Sequence, residues 1–209
     1  MKPYSFKDRN ILITGASGGL GSALVKLLAK KGARLVLTSR SEKALNELIS
    51  KLPSKEKAVA LTADLSKPGE AERLARAAAS ALGHIDVLIN NAGVGYFALM
   101  EEATEESMRH LFEVNTLSPL VLINTLLPEM QKRAGGRVVN ILSCAGRVPI
   151  PTVGVYGGSK SALAVMTNTM RLELEPSGID IINIYPGTVA TAFEEHAFRE
   201  EERPGLCPK

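Results

Sequence analysis

Short apolar runs recur along the chain, separated by longer stretches in which apolar residues return every three or four positions. Asn10–Thr14, Arg34–Ser39, Ala58–Thr62, Ile85–Asn90, Arg137–Leu142 and Asp180–Tyr185 are each five or six residues long and rich in Ile, Val and Leu. That length and composition predict buried strands. Between them, Ser22–Lys31 places Leu24, Leu27 and Leu28 at helical spacing. Ser41–Leu52 opens on a capping serine and stops at Pro53, both helix-boundary signals. Pro68–Leu82 is alanine-rich with proline near its start. Ser107–Pro128 is long, apolar and helical, and a last helix opens near Tyr156 and ends at about Glu175, before Pro176. Strands alternating with helices predict a parallel sheet covered on both faces. The segment from Phe193 onward is highly charged and reads as a mobile helix or a tail. The division expected is a main domain over residues 1–191 and a charged segment over 192–209.

Ligands bind at the carboxyl ends of the strands in such a sheet, and the chemistry-bearing residues cluster there. Gly15-Ala-Ser-Gly-Gly-Leu-Gly21 follows the first strand directly. A strand, a glycine loop and a helix N-terminus aim backbone N–H groups at a phosphate, although a plain glycine turn looks the same in isolation. Ser39 and Arg40 end the second strand, where a cofactor lacking a 2′-phosphate usually meets an acidic residue. An arginine there suits a phosphate, through its planar fork; a solvated arginine opening the next helix is the plainer alternative. Asp64 follows the third strand and suits either adenine edge groups or a turn cap. Asn90-Asn91-Ala92-Gly93 closes the fourth. Asn115 lies inside the long helix, where asparagine is a mediocre helix former. It serves either a site or a local backbone bond.

The fifth strand delivers Ser143, and Tyr156 and Lys160 follow four residues apart. On a helix that spacing puts both on one face. A phenol with a pKa of about 10 is a poor base at neutral pH; a nearby ammonium favours phenolate and lowers that value. The set is a recipe for a tyrosine acid/base with a serine holding a polar substrate oxygen. A Tyr-x-x-x-Lys pair alone is weak, because such pairs arise by chance on many helices. The sixth strand ends in Pro186-Gly187-Thr188-Val189-Ala190-Thr191, which breaks the strand and exposes backbone groups.

Composition narrows the classes. Hydrophobic residues make up 45% and charged residues 22%, an ordinary globular mixture. The net charge of +3 is too small to argue for nucleic acid. No membrane span is expected, and the polar start Met1–Asn10 lacks a signal-peptide apolar core. His84, His110 and His196 sit apart, and Cys144 and Cys207 have no metal-ligand spacing. No metal site is expected, and the cysteine usage fits a reducing, cytoplasmic setting.

Taken together, Thr14–Gly21, Asp64, Asn90–Gly93, Asn115, Ser143, Tyr156, Lys160 and Pro186–Thr191 resemble, in order and over nearly the whole chain, the short-chain dehydrogenase/reductase family. The resemblance implies a Rossmann-type doubly wound α/β fold in three layers, with six strands visible and the family's seventh missing. It implies hydride transfer between a nicotinamide cofactor and a ketone, aldehyde or alcohol. Tyr156 would be the acid/base and Ser143 would bind the substrate oxygen. Lys160 would hold the ribose and lower the tyrosine pKa, and Asn115 would order a proton-relaying water. Gly15, Ser17, Gly18, Gly19, Leu20 and Gly21 would surround the pyrophosphate, with Ser39 and Arg40 at the adenosine ribose. Asp64 and Leu65 would meet adenine, and Asn91, Ala92 and Gly93 would line the floor. Pro186, Gly187, Val189 and Thr191 would hold the nicotinamide carboxamide.

Arg40 makes NADP(H) the expected cofactor, with NAD(H) the alternative. Val94, Gly95, Tyr96, Cys144, Ala145, Val148, Ile150 and Val153 would border a small, lipophilic substrate. Cys144 reads as a reactive thiol or a packing residue. Three departures stand out. Gly18 sits where many NADP-preferring members carry a basic residue. Gly157-Gly158 follow the tyrosine. The chain stops where the family continues into a substrate lid and a seventh strand, so a C-terminal portion beyond Lys209 is expected in the native protein. The resemblance also implies a homodimer or tetramer packed through the helices of Asn115 and Tyr156, with the dimer favoured because the chain stops early. The rival functions are NAD-dependent alcohol oxidation and a cofactor-binding regulator without turnover.

Overall fold

A computed structural model describes residues 4–189, 193 and 197–199. Six parallel strands form the central sheet: β1 (Asn10–Thr14), β2 (Arg34–Ser39), β3 (Ala58–Thr62), β4 (Val87–Asn90), β6 (Gly136–Ile141) and β7 (Ile179–Ile184). Their order is β3-β2-β1-β4-β6-β7, the doubly wound Rossmann arrangement, with its reversal between β1 and β4. The remaining elements are α1 (Gly19–Lys30), α2 (Glu42–Ser50), α3 (Glu70–Leu82), α4 (Glu105–Phe112), α5 (Ser118–Lys132) and α6 (Gly154–Glu173). A two-stranded parallel pair joins β5 (Tyr96–Phe97) to β8 (Phe198–Arg199).

Alternation along β1 explains the layers. Ile11 and Ile13 pack with Val25 and Leu28 of α1 and Leu45 and Leu48 of α2. Leu12 faces the other way, into a cluster with Leu74 of α3 and Leu122 and Leu126 of α5. Successive side chains of a strand point to opposite faces, so a strand covered on both sides is apolar throughout.

The structure moves several predicted boundaries. α1 starts at Gly19, because the glycine loop itself supplies the cap residue Gly18. α3 starts at Glu70, after Pro68 and after Gly69 turns the chain at φ +83°. The predicted helix 107–128 is a continuous helical stretch, Glu105–Lys132, broken by a π-helical turn at Glu113–Leu117. By length and composition this stretch meets the requirement for a membrane span, contrary to the sequence reading. Its apolar face is committed to the protein core instead, through Leu111, Leu122, Ile123, Leu126 and Met130. The β5–β8 pair also departs from expectation, since Phe198 and Arg199 fall in the predicted tail.

At the amino ends of the strands, the Asp86 side chain is 9% exposed. It accepts from the Asn10 backbone N–H at 2.9 Å and from Arg133 at 2.7 Å, with Arg9 at 3.6 Å. A buried carboxylate is tolerated when it is paired and hydrogen-bonded. Asp86→Ala leaves the Asn10 N–H buried without that acceptor and is expected to destabilise the fold by about 2–3 kcal/mol. Urea unfolding of the variant against wild type measures it.

Candidate active site

The glycine loop is shaped by close backbone contacts. Gly15 has φ +63°, and a Cβ built there lies 2.8 Å from the Ala92 backbone. A Cβ on Gly21 would overlap the Gly15 carbonyl oxygen. Asn91 fixes the loop from the side, its Nδ2 donating to the Thr14 and Gly15 carbonyls at 3.0 Å each. The Thr14 hydroxyl accepts from the Asn91 and Ala92 N–H groups at 3.0 and 2.9 Å. Among the described residues no side chain caps the start of α1, and Ser17, Gly18 and Gly19 are exposed. Helix-initial N–H groups without a side-chain acceptor suit a phosphate, so these residues fit a dinucleotide pyrophosphate. Leu20 is half-buried beside them.

Arg40 is exposed at the end of β2. Ser39 bonds locally, its hydroxyl donating to the Ser41 carbonyl. Asp64 accepts from both the N–H and hydroxyl of Ser66, at 3.2 and 2.7 Å. Those bonds hold its carboxyl below the usual range, with smaller help from the charges of Lys67 and Arg40. Asp64 is therefore a turn cap, with the Arg40 guanidinium in electrostatic reach. Leu65 is buried in the core, and its carbonyl accepts from the Ser118 hydroxyl.

Asn115 lies in the π-helical turn and is fully buried. Its carboxamide is committed to protein groups. Oδ1 accepts from the Val94 N–H at 2.9 Å, and Nδ2 donates to the Val94 carbonyl at 3.0 Å and the Ser159 hydroxyl at 3.1 Å. The Ser159 hydroxyl in turn donates to the Tyr156 carbonyl at 2.7 Å, and Thr116 donates to the Ser159 carbonyl. A π turn interrupts the i→i+4 ladder and recurs at functional sites, which accounts for a polar residue inside this helix.

Gly93 forms the floor. A Cβ built there meets Lys160 Nζ at 3.1 Å and Asn115 Oδ1 at 3.2 Å. Lys160 is 4% exposed and donates to the Ile141 carbonyl at 3.1 Å. Burial pulls its ammonium down to about 8. Tyr156 moves in the opposite direction: burial raises its phenol, the Ser143 hydroxyl pulls it partly back, and the Cys144 thiol adds a small rise. The expected lowering of the phenol by Lys160 is thus corrected, because desolvation of the charged form dominates.

The Ser143 loop presses directly on α6. A Cβ on Gly157 would lie 2.5 Å from the Ala145 carbonyl oxygen, and one on Gly146 3.1 Å from the Ser161 nitrogen. This close approach explains the first glycine after Tyr156; the second, Gly158, faces open space. The Cys144 N–H donates to the Pro186 carbonyl at 3.0 Å, tying that loop to the chain leaving β7. Cys144, Gly187 and Val189 are exposed, and Thr191 lies outside the described residues. Among the substrate-bordering candidates, Tyr96 is buried and accepts from the Ser107 hydroxyl at 3.0 Å, a structural role. Val148 is exposed and Val153 buried.

Sequence reasoning missed Ser159, which looks like any small residue before a lysine. It also missed Phe193, whose ring centroid lies 5.9 Å from that of Tyr156.

The family model for short chain dehydrogenases matches residues 9–202. The chain belongs to the short-chain dehydrogenase family. This dehydrogenase is similar to an uncharacterized oxidoreductase of Methylorubrum extorquens, 40% identical over 182 residues that cover 86% of this chain and 73% of the relative. A short chain dehydrogenase/reductase from Burkholderia phymatum, solved in complex with NAD, superposes with a TM-score of 0.87 at 28% identity, covering 93% of this chain and 70% of that one. A metagenomic short-chain oxidoreductase in complex with NADP superposes with a TM-score of 0.83 at 30% identity, covering 89% and 85%. The dehydrogenase is therefore an oxidoreductase with a Rossmann-type nucleotide-binding fold, and its neighbours include complexes with either nicotinamide dinucleotide.

The Lys160 environment makes a pH prediction for the dehydrogenase without cofactor. Its folded pKa of about 8 lies below the ordinary 10.5. The unfolded chain thus binds more protons between these values, and stability rises with pH across that window. The burial cost is fully present below pH 8. Relative to Lys160→Met, wild type should gain roughly 3 kcal/mol from pH 8 to pH 10.5. Parallel urea unfolding at pH 7.5 and 10 measures this, and a constant gap between the two proteins contradicts it.

Proposed function

We propose that this dehydrogenase interconverts a ketone or aldehyde and an alcohol by hydride transfer, with NADP(H) preferred. One observation carries the reading: the Tyr156 phenol lies against the Ser143 hydroxyl, and the buried Lys160 ammonium, one helical turn along α6, bonds to the end of β6 and meets the Gly93 floor. A bound nicotinamide supplies the hydride acceptor or donor.

The protein's own groups divide the remaining work. Ser143 orients the substrate oxygen by hydrogen bonding. Tyr156 exchanges a proton with that oxygen, donating it in reduction and accepting it in oxidation. Lys160, at about 8, is mostly charged at pH 7 and suits ribose hydroxyls beside Gly93. The Asn115 side chain is spent on Val94 and Ser159, so it serves by holding the floor loop and α6 in place.

The cofactor preference rests on Arg40. It is exposed at the end of β2 and has no salt bridge among the described residues, which suits a 2′-phosphate. The proposal includes a homodimer, supported by the exposed apolar side chains of Leu117, Val121, Val165 and Met166 on the helical stretches of Asn115 and Tyr156.

Tyr156→Phe is expected to lower kcat at least a hundredfold, by roughly the contribution of general acid–base catalysis, with nicotinamide affinity retained. Turnover of a carbonyl panel together with calorimetry checks it, and full turnover by the variant defeats the assignment. Arg40→Ala should weaken NADPH binding roughly tenfold or more, the worth of a charge-assisted hydrogen bond, while changing NADH little. Equal losses for both cofactors would remove the 2′-phosphate role.

A further inference from the structure

Three asparagines stand in register across the carboxyl half of the sheet: Asn90 on β4, Asn140 on β6 and Asn183 on β7. Asn90 and Asn140 are buried. Their carboxamides form a chain that runs in one direction. Asn90 Nδ2 donates to Asn140 Oδ1 at 2.9 Å, and Asn140 Nδ2 donates to Asn183 Oδ1 at 2.9 Å. Asn183 Nδ2 then leaves the sheet for α6, donating to the Thr167 hydroxyl oxygen at 3.0 Å and to Asn168 Oδ1 at 3.2 Å. Thr167 is fully buried, and its own proton goes to the Leu163 carbonyl at 2.6 Å.

Each member of the chain stands just before a piece of the site. Asn90 precedes the floor loop that ends at Gly93. Asn140 precedes Ile141, whose carbonyl accepts from Lys160, and the same strand delivers Ser143. Asn183 precedes Ile184, whose carbonyl accepts from the Leu142 N–H at 2.8 Å. Thr167 lies two turns beyond Lys160, on the same face of α6. The Asn115 bonds join α6 to the floor loop but do not reach β6, the strand that carries Ser143. The carboxamide chain supplies that link. A buried polar chain with its groups paired resists a slip, because a slip leaves donors without acceptors.

We propose that Asn183 and Thr167 are positioning residues for the reaction: the bond between their side chains seats α6 on β6 and β7, and so sets Tyr156 and Lys160 against Ser143 and the Ile141 carbonyl. The inference rests on the reading of Tyr156 as the acid/base, and it adds the residues that hold the phenol in place. Thr167→Val keeps the side-chain shape and cuts only this link. Asn183 is not orphaned by it, since Nδ2 retains Asn168 and Oδ1 retains Asn140.

Lys160 reports the seating without any turnover. Burial is the cause that lowers its pKa to about 8, so hydration of the ammonium moves it back toward 10.5. NMR titration of the lysine Cε signals in cofactor-free protein reads this, with the Lys160 signal assigned by its loss in Lys160→Met. Thr167→Val is expected to raise the Lys160 midpoint by at least about half a pH unit. Its kcat on the carbonyl panel should fall at least about tenfold, with nicotinamide affinity retained. Thr167→Ser keeps the hydroxyl and should restore both readouts, and Asn183→Val should repeat the loss from the sheet side. A Lys160 midpoint that does not move in Thr167→Val overturns the positioning role, however far the urea midpoint falls, because a merely structural bond lowers stability alone. Failure of the acid/base reading has a different signature, namely full turnover by Tyr156→Phe while the Lys160 midpoint still shifts in Thr167→Val.

Discussion

The site depends on one buried carboxamide. Asn115 has no access to solvent, and its groups are spent on Val94 and Ser159. Through those bonds the floor loop after β4, the π-helical turn and α6 become one body. An unpaired buried amide is costly, so the three pieces cannot separate cheaply. The placement of Tyr156 and Lys160 follows, because Ser159 lies between them on α6 and bonds to both Asn115 and the Tyr156 carbonyl.

A second constraint is steric. Three elements approach so closely that a methyl group would not fit between them: the glycine loop on itself at Gly21, the Ser143 loop on α6 at Gly157, and Phe193 on the chain at Gly95. Interiors are close-packed, so each contact transmits position rather than absorbing displacement. Helix propensity disfavours the Gly157-Gly158 pair, and packing overrules it at the first of these positions. Burial then sets the chemistry. It raises the Tyr156 phenol and lowers the Lys160 ammonium, in each case toward the neutral form.

Much of this was legible in the order of residues. The apolar runs define six strands, and their alternation with amphipathic stretches determines a parallel, doubly wound sheet. Gly15–Gly21 after the first strand and Tyr156/Lys160 after the fifth fall at carboxyl ends because the topology leaves ligands only that crevice. These are local or periodic signals, carried by spacing alone. Tertiary structure decided the rest. The π turn at Asn115, the turn-capping role of Asp64 and the core position of Leu65 depend on which groups lie opposite in space. The same is true of Ser159, and of Phe193, which meets Tyr156 only because β8 pairs with β5 about a hundred residues earlier. The direction of the Tyr156 shift belongs with them, since spacing put an ammonium nearby but could not report how much water the fold removes. Desolvation is a property of the whole surrounding shell, and no stretch of sequence contains that shell.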